Sequence, residues 1–123
     1  LTADCLPVAL SVPGAVAMLH AGWRGLAGGV LEAGVEATGA VCAAIGPGIG
    51  PCCYEVGDDV RAVFGTSEPT LDLKAIARAR LEAAGVRDIH DCGLCTSCDA
   101  ERFFSHRRYR GVTGRQAGLA WRS

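Results

Sequence analysis

The sequence predicts an α/β fold, a layered sandwich of helices against a mixed sheet, and three observations carry that prediction. Two short apolar, β-branched-rich runs, Leu6 to Val12 and Ala15 to Leu19, flank Pro13-Gly14, whose preset proline φ and unhindered glycine favour chain reversal into a hairpin. Apolar residues at helical spacing follow from Gly25 to Thr38, and a compact apolar run from Ala40 to Ile45 comes next. Strand, helix and strand in that order imply layering. The 17 glycines are scattered through these periodic segments, so they mark tight connections and not a flexible linker.

In the predicted helix, Leu26, Val30, Leu31, Val35 and Thr38 share one face, and Gly39 is placed to end it. The run from Ala40 to Ile45 reads as a buried strand that enters the rigid loop Gly46-Pro47-Gly48-Ile49-Gly50-Pro51. Val56 to Phe64 and Leu73 to Ala84 read as two helices that Pro69 keeps apart. Val86 to His90 is a further strand, Cys92 to Cys98 a loop, Ala100 to Arg108 a helical turn or helix and Gln116 to Trp121 a final strand.

The 123 residues fit a single domain, 1–123, with a formal net charge of −1 and no apolar run long enough to span a bilayer, so no membrane partner is expected. From Arg102 onward there are six arginines and no Asp or Glu. This stretch reads as a solvated basic face ahead of the alternative, an anion site; it has no nucleic-acid-binding module, and no nucleic-acid partner is expected. The seven cysteines are odd in number and follow no secretory signal, which points to reduced thiols and a cytoplasmic location. The chain opens directly into an apolar strand at Leu1-Thr2-Ala3-Asp4-Cys5, and a missing N-terminal part is expected.

Chemistry is expected where the hairpin brings Cys5 and His20 together. A thiolate beside an imidazole can bind a transition metal, zinc or copper, or can serve as a nucleophile with its general base. Both readings stand at this point. Trp23 and Arg24 lie between glycines at a helix start, where backbone N–H groups favour an anion. The glycine-rich loop is not a phosphate-binding fingerprint, since no Lys-Ser/Thr follows it, but Gly46, Gly48 and Cys52 are expected to wall a pocket beyond the strand's end. Cys92, Cys95 and Cys98 form CxxCxxC, which resembles part of an iron–sulfur or zinc site that His90 and His106 could complete. Cys52 and Cys53 are adjacent and poorly placed for an unstrained disulfide with each other.

Seven blocks, TADCLPV, HAGWRGL, IGPGIGPCCYEVG, LDL, CTSC, FFSHRR and TGRQAG, cover nearly the whole chain in this order. They resemble the YfiH-type family, also labelled multicopper polyphenol oxidoreductase or laccase-domain proteins and purine nucleoside phosphorylases. The resemblance implies an α/β sandwich related to bacterial deamidase toxins with a Cys-His site. It also implies zinc or copper held by a cysteine and two histidines. Cys5 and His20 match two of those ligands, and the third, a histidine in a Gln-x-His-Gly type segment, is expected upstream of Leu1. Cys95 and Cys98 then read as structural, and His106 stands where relatives usually carry tyrosine.

The implied activity is phosphorolysis of adenosine, inosine, guanosine or methylthioadenosine, with adenosine deamination as a companion. Cys5, His20 and Arg24 are the expected catalytic residues, Arg24 for phosphate, with Asp4 and Trp23 supporting them. The alternatives are a cysteine-dependent amide hydrolase acting on peptidoglycan precursors, a laccase-like polyphenol oxidase, and a zinc-stabilised binding module on Cys92, Cys95 and Cys98. Multicopper oxidation needs many histidines, and this chain has three, which makes single-metal or thiol chemistry more economical.

Overall fold

The structure, a computed structural model, describes residues 1–123. Its centre is a four-stranded mixed sheet in the order β2-β1-β3-β4. The hairpin is formed by β1 (Leu6–Val12) and β2 (Ala15–Ala21), antiparallel and in the register Leu6 to Ala21 through Val12 to Ala15. On its other side β1 pairs antiparallel with β3 (Cys42–Ile45), and β3 pairs parallel with β4 (Asp88–Asp91). The mixed sheet and its helical layer agree with the predicted α/β class.

Period-2 alternation divides the residues of β1 between two environments. Leu6, Val8 and Leu10 are buried with Ala43 and Ile45 of β3 and form one core with Leu26, Leu31, Leu73, Ala77 and Leu81. Those last five come from the helices α1 (Trp23–Ala27), α2 (Val30–Thr38) and α4 (Leu73–Ala83). Pro7 and Ala9 instead line a cavity of about 510 Å³ with Met18, Ala44 and the C-terminal residues Ala117 to Leu119. Helices therefore cover one sheet face and an irregular chain segment lies over the other. Helix α3 (Asp58–Phe64) contributes Val60 to the core.

Several predicted elements are corrected. The single helix over 25–38 is two helices, because Gly29 adopts φ +87° and the chain breaks between α1 and α2. The third strand begins at Cys42, not Ala40, and β4 runs to Asp91. The helix predicted from Val56 starts at Asp58. Of the turn or helix expected over residues 100–108, the structure has turns and no helix: the Arg108 guanidinium donates to the carbonyls of Thr96 and Ser97, each at 2.8 Å, and Gln116 bonds the Phe104 backbone on both its N–H and C=O sides. Those side-chain bonds take the places of an intrahelical ladder. Gln116 to Trp121 contributes only an isolated bridge to Thr2, and Leu119 and Trp121 stay exposed.

Candidate functional site

The glycine-rich loop after β3 lies between two other segments and binds both. Gly46 N–H donates to Pro7 O and Ile49 N–H to Asp4 O, each at 2.8 Å, while Thr96 N–H donates to Gly48 O at 3.1 Å. A Cβ on Gly48 would strike the Leu6 side chain and come within 3.1 Å of Asp4 O, and one on Gly46 would lie 2.8 Å from Pro7 Cγ. These two glycines let the loop approach the Asp4–Pro7 segment; Gly46 also lines the large sheet-face cavity.

Asp4 organises the junction. Its carboxylate is buried and accepts from the Thr96 hydroxyl on Oδ1 and from Arg107 N–H on Oδ2, both at 2.7 Å. Its backbone sits at φ +106°, a region sparsely populated for any residue with a Cβ. Such a conformation costs on the order of 1–3 kcal/mol and persists only where its surroundings hold it. Here the two carboxylate bonds and the Ile49 bond hold it, and the strained residue immediately precedes Cys5.

The register pairs Leu6 with Ala21 and Pro7 with His20, which brings Cys5 to the His20 end of the hairpin. The Cys5 thiol is half-buried against Gly22, where an added Cβ would lie 2.7 Å from Sγ. Burial, then the neighbouring Asp4 carboxylate, push the thiol above its usual pKa, and Arg115 and Arg24 pull in the opposite direction. His20 and Arg24 are exposed, and Arg24 lies over the Trp23 ring, 4.4 Å from its centroid.

Tyr54 and two arginines, Arg107 and Arg115, complete this environment, and sequence reasoning missed them. Arg107 stacks on Tyr54 at 5.1 Å, and the half-buried phenol is raised in pKa by burial first and then by Cys5. Arg107 and Arg24 act on Tyr54 in the opposite sense. The only sequence signal for these arginines was the basic C-terminal stretch, which does not by itself say where the chain folds back.

Among the side chains of this chain, Cys5 and His20 do not belong to a set of three or more converging metal donors; the set that does is Cys52, Cys53, Cys95 and Cys98. A thiol and an imidazole are donor types that suit zinc or copper. The predicted CxxCxxC grouping is corrected: Cys92 lines the sheet-face cavity with His90, and His106 packs against Gly111. Cys52, expected to wall a pocket beyond the strand's end, lines a cavity with Lys74 and Arg78 and has its sulfur in the four-cysteine cluster. The sheet-face cavity includes none of Cys5, His20 and Arg24.

Compared with known proteins, residues 1–123 match the family described as multi-copper polyphenol oxidoreductase laccase. The chain belongs to this family. A purine nucleoside phosphorylase of Xylella fastidiosa (strain Temecula1) is 48% identical over 98% of this chain and 55% of its own length. The purine nucleoside phosphorylase YfiH of Escherichia coli K12 is 39% identical, with 98% of this chain and 57% of the relative covered. The crystal structure of YlmD from Geobacillus stearothermophilus superposes with a TM-score of 0.82 at 41% identity, over 92% of this chain and 52% of that one. This laccase-family chain thus spans just over half the length of these relatives. The family description and the cysteine cluster both point to metal binding.

Proposed function

We propose that the chain carries part of the active site of a purine nucleoside phosphorylase, which splits purine nucleosides with phosphate. The observation that carries this reading is the convergence of arginines on the Cys5 end of the hairpin. Arg107 bonds Asp4 through its N–H and stacks on Tyr54, Arg115 precedes Gln116, which pairs with Thr2, and Arg24 follows two residues after Gly22, which packs on the Cys5 sulfur. Guanidinium groups recognise phosphate through charge-assisted, often bidentate hydrogen bonds, each contributing about 1.5–3 kcal/mol. The purine nucleoside phosphorylase names of the relatives fit that anion site.

In phosphorolysis a phosphate oxygen bonds to the anomeric carbon as the bond from that carbon to the purine nitrogen breaks. The bonding pair leaves with the purine, which takes up a proton, and ribose 1-phosphate remains. Arg24, Arg107 and Arg115 hold the phosphate and offset its charge as it approaches the sugar. The Tyr54 phenol stays protonated and donates a hydrogen bond to the substrate. Cys5 and His20 would hold zinc or copper, which would supply Lewis-acid polarisation of the substrate. Deamination of adenosine at the same site is the companion activity.

The amide-hydrolase alternative uses Cys5 as the nucleophile and predicts turnover that does not depend on phosphate. The test is incubation of the protein with inosine in the presence and absence of phosphate. Hypoxanthine released only with phosphate supports phosphorolysis, and release at the same rate without phosphate contradicts it.

A further inference from the structure

We propose that Cys52, Cys53, Cys95 and Cys98 bind a single structural zinc ion, at a site separate from Cys5 and His20. The four sulfurs lie within 4.8 Å of one another. Cys98 Sγ is 3.4 Å from both Cys52 Sγ and Cys53 Sγ, and Cys52 Sγ is 3.7 Å from Cys95 Sγ. Sulfurs bound tetrahedrally at about 2.3 Å from a zinc ion stand about 3.8 Å apart, so the present spacing closes around one ion with small side-chain adjustments. The four sulfurs are too close together to embrace an iron–sulfur core. All four cysteines are free thiols.

Local backbone supports the same assignment. Cys95-Thr96-Ser97-Cys98 is a CxxC turn of the spacing zinc sites use, and Gly50 N–H donates to Cys95 Sγ at 3.2 Å. The second pair comes from the turn at Pro51–Cys53, 42 or more positions away in sequence, so the ion would staple the glycine-rich loop to the CxxC loop. Binding releases the remaining thiol protons and leaves four thiolates around a divalent cation, a net negative centre. Lys74 and Arg78 line the cavity beside Cys52 and Cys95 together with Asp72 and Asp91, and Lys74 pairs with Asp91 at 3.7 Å.

The site also has a structural consequence for its surroundings. Tyr54 directly follows Cys53, and Thr96, the donor to Asp4, lies between Cys95 and Cys98. The ion therefore fixes two segments that reach the Cys5 end of the hairpin. This assignment stands independently of the phosphorylase reading, since it concerns metal content and not turnover.

The experiment purifies the protein in reductant without chelator, measures its zinc, and exchanges the metal for Co²⁺. In a Cys5→Ser background, which removes any metal held at Cys5 and His20, the expected result is a zinc ion that survives Cys92→Ser and is lost from Cys52→Ser and Cys98→Ser. The cobalt form should show the red-region absorption and thiolate charge-transfer bands of a tetrahedral tetrathiolate site. Where the serine variants fail to fold, alkylation of the unmutated protein with mass-spectrometric mapping decides the matter: added zinc should protect Cys52, Cys53, Cys95 and Cys98 and leave Cys92 reactive. Equal alkylation of those four with and without zinc overturns the proposal, as does zinc retained in both folded serine variants, or iron in its place.

Discussion

Asp4 and Thr96, 92 positions apart in sequence, meet in a buried hydrogen bond in which the Thr96 hydroxyl donates to Asp4 Oδ1 at 2.7 Å. It joins the segment carrying Cys5 to the CxxC loop, and it holds Asp4 in a backbone conformation that it would not adopt alone. Thr96→Val keeps the shape and removes the donor, leaving a buried carboxylate oxygen without this partner. The expected cost is about 1–3 kcal/mol. Urea denaturation checks it: the midpoint should fall with the slope unchanged, and a midpoint equal to that of the parent protein would remove the bond from the account.

Gly22→Ala should disturb Cys5 specifically. Its Cβ would enter to 2.7 Å of the Cys5 sulfur, which has to move. The variant should keep its far-ultraviolet circular dichroism and lose most of its turnover. Full activity in the folded variant would show that the position of the thiol is immaterial.

Arg24→Ala and Arg115→Ala should act on phosphate before nucleoside. Loss of one charge-assisted contact of about 1.5–3 kcal/mol corresponds to roughly a 10- to 100-fold rise in KM for phosphate. Steady-state kinetics with each substrate varied in turn separates the two effects. A rise in nucleoside KM with phosphate KM unchanged would place the arginines elsewhere in the site.

Leu81→Ala tests the packing of the helical layer on the sheet. Leu81 is fully buried in the core, and truncation should cost about 2–5 kcal/mol. Thermal unfolding should show a lower midpoint while the KM for phosphate of the folded enzyme stays the same. An unchanged midpoint would mean that α4 does not carry the core as described.

The hairpin and the mixed α/β layering were legible because hydrophobic period and turn chemistry are local signals, as Pro13-Gly14 and the alternation of Leu6, Val8 and Leu10 illustrate. Leu26 and Leu31 likewise pointed to a helical face, although Gly29 divided it. What failed was set by contacts distant in sequence. Residues 100–108 have helical spacing, yet Arg108 binds carbonyls of the CxxC loop and Gln116 binds Phe104, and neither partner is visible in a local window. The cysteine cluster was hidden for the same reason: CxxC supplies half of it, and the other half is 42 or more positions away, so the nearer Cys92 looked like a member and lies outside the cluster. That Cys5 and His20 lie at one end of the hairpin was legible because a single turn relates them, whereas Tyr54, Arg107 and Arg115 reach that end by tertiary folding alone.

The most direct measurement incubates the protein and its Cys5→Ala form with adenosine and phosphate and separates the products by chromatography. The account predicts adenine and ribose 1-phosphate from the parent protein and neither from a Cys5→Ala variant that retains its fold. Parent-like formation of both products by that variant would contradict the placement of the chemistry at Cys5, and their absence from the parent protein would contradict the phosphorylase reading itself.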